Sequence, residues 1–273
     1  FLTSTLYRDP DRVVEDELVV VEELRKRGYR GYIHLRLMPG VSKDLLFHAA
    51  VYSDRIGVNV EAPRDYFNTI APSKADWLQD IIKRIEWLTR LRNMFRSRGY
   101  RRPGYISSGV DTQFVFGCSG ESDRDVLETA WMLLKIGVER IYISGFHPYK
   151  NTPLEKHPPT PKWRTLRVTQ AIELMRRYSY SFEEIEELLD DNGMLPNRDP
   201  KILYAELHRE LYPVDLNNDP YELIVRVPGI GPKTARRIIE FREKGYRVDY
   251  GFLRRVYGDY RLKKIAKYIV LQY

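Results

Sequence analysis

The 273-residue chain is long enough for one large domain and one small one, and its 43% hydrophobic and 30% charged residues are globular values. No apolar run approaches the ~20 residues that span a bilayer and no signal peptide is recognisable, so we expect a cytoplasmic protein. Its one cysteine, Cys118, excludes an internal disulfide framework and a zinc site built on paired cysteines.

Positive charge is concentrated at the carboxyl end. The formal net charge is +7, and residues 226–273 carry thirteen lysines and arginines against four acidic residues, a local charge of +9. The remaining residues are slightly acidic as a whole. An anionic partner is therefore expected for the tail alone.

The first 155 residues alternate between predicted strands and helices. In chain order these are a strand at 1–5, a helix from Asp9-Pro10 to Gly28, a strand at 32–38, a helix from Ser42, a strand at 55–63, a helix at 75–98, a strand at 112–120, a helix from Ser122 and a strand at 140–146. Such alternation requires a parallel sheet covered by helices, either an incomplete barrel or an open doubly wound sheet.

Two strands favour the barrel. Every second residue from Ile33 to Leu37 and from Ile56 to Val60 is apolar and is predicted to face helices. The opposite faces carry His34, Arg36, Met38, Gly57, Asn59 and Glu61. Polar side chains toward the ends of strands suit the mouth of a barrel, where sites form, although each is equally compatible with an interior hydrogen bond. For His34 we favour the interior hydrogen bond, and Arg36 can pair with a carboxylate or a phosphate.

Residues 156–218 are predicted to form a helical connector, packed on the barrel or bridging from it. Prolines at 158, 159 and 161 mark an extended start, and the segments at 163–178 and 181–194 have helical patterns.

The tail, residues 219–273, contains a short motif that predicts a small all-α domain. Residues 220–227 and 232–243 have helical patterns around "PGIG", in which Gly229 and Gly231 free the backbone to turn. Amides at the start of the second helix can then point at one phosphate oxygen, close to Lys233, Thr234 and Arg236. This helix-hairpin-helix pattern predicts binding to a nucleic-acid backbone, duplex DNA in particular, without sequence preference. The alternative is an ordinary helical hairpin with a glycine turn.

A second, degraded copy of the motif follows. "RVYG" at 255–258 resembles "RVPG" at 226–229, and "KKIAKYIV" at 264–271 resembles "KTARRII" at 233–239. Tyr257 and Asp259 make this second hairpin a poor phosphate binder, so we expect only the first to bind.

Three further segments carry a family resemblance. "VNVEAP", "FVFGCSGESD" and "ISGFHPYKNTPLE" follow successive strands and resemble the later strands of radical SAM enzymes. Together with the terminal hairpin, nearly all of the chain is similar to a radical SAM subgroup described as DNA modification or repair proteins. The resemblance implies that residues 1–155 form a partial parallel (β/α) barrel of the TIM-like, radical SAM type, without its first strand and cluster loop.

The family's cofactors are S-adenosylmethionine and a four-iron four-sulfur cluster held by a Cys-x-x-x-Cys-x-x-Cys loop. This sequence has no such loop, and Cys118 matches none of its positions. The resemblance therefore implies cluster ligands upstream of Phe1, in which case this chain alone is inactive. The alternative is a relative without a cluster.

The resemblance also implies residues that hold S-adenosylmethionine. Asn59 and Glu61 match positions near the ribose, and Thr3 and Thr5 stand where the family contacts the methionine part, facing the lumen if Leu2 and Leu6 face helices. Three positions match the motif beside the adenine: Gly117, Gly120 and Glu121. The alternative for Glu121 is a turn that leads into the next helix.

Two function classes follow. One is a radical SAM enzyme acting on nucleic acid, in DNA modification or repair. The other is a non-catalytic nucleic-acid-binding protein on a barrel that has lost its cluster. No histidines cluster at metal-ligand spacing, so no metal site is expected within this chain.

Overall fold

The chain separates into two compact units, Phe1–Thr165 and Leu166–Tyr273. The computed structural model describes residues 1–5, 9–71 and 75–271. The boundary lies ten residues after the predicted end of the barrel-like part at 155. Within the described ranges, no helix is both long and apolar enough to cross a membrane.

A parallel sheet organises the first unit. Its four strands are β1 (His34–Arg36), β2 (Arg55–Gly57), β3 (Val110–Phe116) and β4 (Arg140–Gly145), and they are hydrogen-bonded in chain order. A doubly wound sheet reverses its strand order at a switch point, and this order has no reversal. The four strands form an open sheet, so a closed barrel is not formed by the described residues.

The predicted strand at 1–5 is reduced to one paired residue. Leu2 forms an isolated parallel bridge with Leu35, donating from its amide to the His34 carbonyl at 2.8 Å and accepting from the Arg36 amide at 3.0 Å. The prediction of a full strand was wrong, because this segment extends the edge of the sheet by a single residue. Leu6 lies outside the described residues.

Helices connect the strands as predicted. They are α1 (Pro10–Lys26), α2 (Lys43–Tyr52), α3 (Arg64–Ile70), a π-helical turn (Trp77–Ile82) that continues as α4 (Lys83–Ser97), and α5 (Asp123–Ile136). Asp9 caps α1 by accepting from the Arg12 amide at 3.0 Å, and Ser122 and Asp125 cap α5 reciprocally. The apolar strand residues predicted to face helices are buried, including Leu35, Ile56, Val58 and Val60.

The second unit packs α8, both hairpin regions and the segments around β5 and β6 against one core. Its elements are α6 (Lys162–Arg177, which begins before the boundary), α7 (Phe182–Glu186), α8 (Pro200–Leu207), a 3₁₀ turn (Arg209–Leu211), β5 (Val214–Asp215), α9 (Tyr221–Ile224), α10 (Pro232–Glu243), α11 (Tyr250–Ile265), a 3₁₀ turn (Ala266–Tyr268) and β6 (Ile269–Val270). Strands β5 and β6 pair in parallel, so the tail is not purely helical as predicted. The core joins Ala205 of α8 to Ile230 and Ile265 of the two hairpin regions.

Candidate nucleic-acid interface

The first hairpin, residues 226–231, is a tight turn between α9 and α10. The amide of Val227 donates to the Ile224 carbonyl at 3.2 Å, and that of Ile230 donates to the Val227 carbonyl at 2.9 Å. Helix α10 then begins at Pro232, which suits a first helical position because it has no amide to satisfy. Two backbone hydrogen bonds therefore close the turn immediately before the amino end of α10.

Three backbone amides at this helix end lack an intrahelical acceptor. Among the described residues, none accepts a hydrogen bond from the amides of Gly231, Lys233 or Thr234, and no side chain caps the helix. The side chains of Lys233 and Arg236 are exposed beside them. Unpartnered amides, the positive end of a helix and two cations together attract an anion such as a phosphate.

The two predicted glycines have different roles. Gly229 has φ +89°, and a Cβ atom there would collide with Cγ2 of buried Ile265. Gly231 has φ −98°, and the nearest atom to a Cβ would be the Tyr178 hydroxyl at 3.7 Å. The expectation that both glycines free the turn is wrong for Gly231, because its extended backbone is open to any residue. Gly231 contributes its amide and an uncrowded approach to it.

Thr234 places its backbone amide, rather than its side chain, at the start of α10. Its side chain is half-buried and lies by the hydroxyl of Tyr257, so it is turned toward α11. Burial raises the pKa of Tyr257 to about 12, and the Thr234 side chain partly offsets that rise. Tyr257 is thus a neutral, half-buried side chain that packs against the core of the second unit.

The second hairpin, residues 255–260, repeats the turn without the same binding chemistry. Gly258 interrupts α11 with φ 70° and ψ 163°, so its φ is positive like that of Gly229. The Asp259 carboxylate lies 2.7 Å from Nε of Arg254 and lowers the local positive charge. The pair of hairpins is therefore unequal in charge.

An ion pair missed from the sequence fastens the first hairpin to α7. Nη1 and Nη2 of Arg226 donate to the Glu184 carboxylate at 2.6 and 2.9 Å, and the Tyr204 hydroxyl donates to the same carboxylate at 2.7 Å. The guanidinium also lies over the Tyr180 ring, 4.5 Å from its centroid. No local pattern links residues 42 positions apart, so the sequence offered no way to find this pair.

On the sheet of the first unit, Asn59 and Glu61 are neighbours. Nδ2 of Asn59 donates to Oε1 of Glu61 at 3.4 Å, and Oδ1 of Asn59 is buried without a partner among the described residues. Glu61 has φ +62°, a conformation that is uncommon for a residue with a side chain. Strained backbone of this kind concentrates at functional sites, although it also occurs at bulges in sheets.

His34 and Arg36 both pair with a residue that the sequence analysis did not single out. Nε2 of His34 lies 2.8 Å from Oδ2 of Asp111, and Nη1 of Arg36 lies 3.1 Å from Oδ1. Burial lowers the pKa of Arg36, and the Asp111 charge opposes that shift. Gly57 leaves the space for this cluster, since a Cβ there would collide with both Arg36 and Asp111. His34 is buried beside Asp111, but its Nε2 forms no hydrogen bond with a described residue, so the interior hydrogen bond favoured for it is reduced to a close contact. The carboxylate that Arg36 neutralises is the protein's own.

Hydrogen bonds within the loop after β3 occupy the Glu121 carboxylate. The Glu121 carboxylate accepts from the Gly117 amide, and from the amide and hydroxyl of Ser119 at 3.0 and 2.5 Å. This is the turn named as the alternative for Glu121. The space beside Gly117, predicted for adenine, is filled by the side chain of Thr160, while the space beside Gly120 is open.

Thr3 and Thr5, the remaining residues predicted to hold S-adenosylmethionine, are exposed. Burial raises the pKa of Cys118 to about 11, which disfavours the thiolate that binds iron. Across the described ranges, no three potential metal ligands come together. The donors of this chain do not fit a four-iron four-sulfur cluster, which needs several thiolates.

Comparison with protein families matches residues 212–258 to the helix-hairpin-helix motif, a motif that generally binds nucleic acid. The matched range runs from the segment before β5 to Gly258. No curated protein and no solved structure matches the chain, and no radical SAM family matches it. The chain is thus an α/β protein with a parallel four-stranded sheet and a helix-hairpin-helix motif in its second unit.

Proposed function

We propose that this protein binds duplex DNA through its first hairpin, by contacts to backbone phosphates. The observation that carries the proposal is the set of three unpartnered amides at the start of α10, with the exposed side chains of Lys233 and Arg236 beside them. The matched motif covers these residues. Because amides and cations contact the backbone, affinity depends on salt and little on sequence.

The test is fluorescence anisotropy with several unrelated duplexes at three salt concentrations. Lys233→Ala removes one charge at the ligand end of α10 and is expected to weaken binding evenly across sequences, with a salt slope lower by about one unit. Lys244→Ala removes the same charge from the other end of α10 and is the matched control, expected to change the slope less. Binding that is independent of salt, or no binding at low salt, overturns the proposal.

A second candidate function is binding of S-adenosylmethionine by the first unit, in a longer polypeptide that supplies the cluster cysteines and acts on nucleic acid. It rests on the resemblance to radical SAM enzymes, and the contact between Asn59 and Glu61 supports it, because an amide and a carboxylate together suit a ribose diol. A reduced four-iron four-sulfur cluster would supply the electron that cleaves S-adenosylmethionine to a radical, and Asn59 and Glu61 would orient its nucleoside.

Calorimetry tests this candidate with S-adenosylmethionine as the titrant and the longer, cluster-reconstituted polypeptide as the protein. Asn59→Ala and Glu61→Ala are each expected to weaken binding by ~1–3 kcal/mol, the usual loss for a buried polar partner. Gln113→Ala, a half-buried neighbour in β3, is the control. Unchanged affinity in both variants removes the pair from the site, and absence of binding by the unaltered protein leaves nucleic-acid binding as its function.

A further inference from the structure

Lys201 is a buried lysine bonded to the first hairpin. It lies on α8 with 8% of its surface exposed, and its Nζ donates to the carbonyl of Ile230 at 2.5 Å. The ring of Tyr178, which follows α6, lies 4.4 Å from Nζ. One ammonium therefore joins α8 and the end of α6 to the hairpin.

The carbonyl that Lys201 holds belongs to the same peptide unit as an amide of the proposed phosphate site. A trans peptide is planar, with its carbonyl and amide directed to opposite sides. By fixing the Ile230 carbonyl, Lys201 also fixes the direction of the Gly231 amide. A cation on the carbonyl polarises the unit and strengthens the amide as a donor.

An acidic side chain and a tyrosine ring lie beside Lys201. Asp199, which caps α8, favours the charged form of Lys201, and the Tyr178 ring lies against the Lys201 ammonium. A groove of about 520 Å³ beside it is lined by Pro228 and Gly229 of the hairpin, with three exposed lysines. These are Lys263, Lys264 and Lys267.

We propose that Lys201 is a positioning residue for nucleic-acid binding, and that its proton couples the affinity of the first hairpin for phosphate to pH. This inference rests on the proposed function. Protonated Lys201 orients the Gly231 amide and adds positive charge behind it. Loss of the proton removes the charge and weakens the hold on the Ile230 carbonyl.

The direction of the pH effect follows from the burial of the side chain. Burial lowers the pKa of Lys201 to about 7, against the opposing effect of Asp199. As pH rises through that value the ammonium is lost, so affinity for a duplex falls. A bound phosphate favours the charged form, so binding near neutral pH takes up a proton.

The free energy of unfolding increases with pH over the range in which the affinity for a duplex falls. Between about pH 7 and the ordinary lysine value of 10.5, the unfolded chain holds the Lys201 proton and the folded protein does not. The free energy of unfolding therefore gains a component that increases with pH over this window. A role limited to stabilising the fold does not predict that affinity falls while stability increases.

The experiment measures duplex affinity of the full chain by anisotropy at fixed low salt, from about pH 6 to about pH 9, across the range where Lys201 titrates and ordinary lysines stay charged. Affinity of the unaltered protein is expected to fall about fivefold, the usual size of a charge effect near a helix end. Lys201→Arg keeps its charge and should bind tightly at every pH. Lys201→Met should bind weakly with no pH dependence. Lys267→Met, an exposed lysine of the same groove, should keep the pH dependence.

Urea unfolding of the same proteins provides the second readout, with the pH-dependent gain in stability expected in the unaltered protein and lost in Lys201→Met. A flat affinity profile for the unaltered protein, or the same falling profile in Lys201→Arg, overturns this inference and leaves the proposed function intact. No binding by the unaltered protein at low salt overturns both.

Discussion

At the scale of single residues, glycine has two separate uses in the "PGIG" turn. Gly229 is required by backbone conformation and by the closeness of Ile265, whereas Gly231 sits in ordinary extended backbone at the start of α10. Spacing in the sequence identified both positions but did not separate these uses. The sign of φ and the position of Ile265, 36 residues away, come only from the folded chain.

The first prediction compares the two glycines. Gly229→Ala should destabilise the second unit by about 2–4 kcal/mol, because it combines left-handed strain with displacement of a buried isoleucine. Gly231→Ala should cost about 1 kcal/mol or less, since alanine fits the conformation and loses only the preference of a helix cap for glycine. Urea unfolding measures both. Equal losses would show that the two positions are constrained alike.

At the scale of elements, local signals in the sequence predicted helices better than strands. The caps at Asp9, Ser122 and Ser181 form as their patterns indicate, because capping joins residues only three apart. Strand residues depend on partners far along the chain, and the segment at 1–5 pairs through Leu2 alone. Asp111 could not be predicted as the partner of His34 for the same reason, because the two residues are far apart in the sequence.

The Glu184 side chain of α7 makes the stability of the second unit depend on pH. Burial alone would raise the pKa of Glu184, but hydrogen bonds from Arg226, the Ser181 amide and Tyr204 outweigh it and lower the pKa. The stabilisation is fully present above the ordinary value of 4.5 and is lost as pH falls through the lowered value. The second unit should therefore lose stability in acid, below about pH 4.5.

Glu184→Gln should remove this acid sensitivity and cost about 1–3 kcal/mol at neutral pH, because the Arg226 charge loses its partner. Glu222→Gln, at an exposed position on α9, is the matched control. Urea unfolding at neutral and acid pH distinguishes them. If Glu184→Gln keeps the acid sensitivity of the unaltered protein, the ion pair is not its source.

At the scale of the whole molecule, sequence patterns located the hairpins. They did not show which preceding helices fold together with the hairpins in the second unit. Residues 156–218 are polar and helical, and nothing in their pattern indicates that they share a core with the tail. The structure joins them through apolar packing at Ala205, the bond from Lys201 to Ile230, and the pair between Glu184 and Arg226. The bond from Lys201 and the pair of Glu184 link residues 29 and 42 positions apart, beyond the reach of helical periodicity.

Two fragments of the chain can show whether the hairpins need the preceding helices in order to fold. Residues 161–273 contain α6 to β6 with the shared core, and should unfold cooperatively and bind duplexes with the salt dependence of the full chain. Residues 219–273, the domain expected from the sequence, lack Ala205, Lys201, Glu184 and the strand β5 that pairs with β6. So short a chain buries too little apolar surface to lose these partners and stay folded. Circular dichroism and urea unfolding measure the folding of each fragment, and anisotropy measures its binding. A cooperative transition and full affinity in residues 219–273 would show that the preceding helices are dispensable.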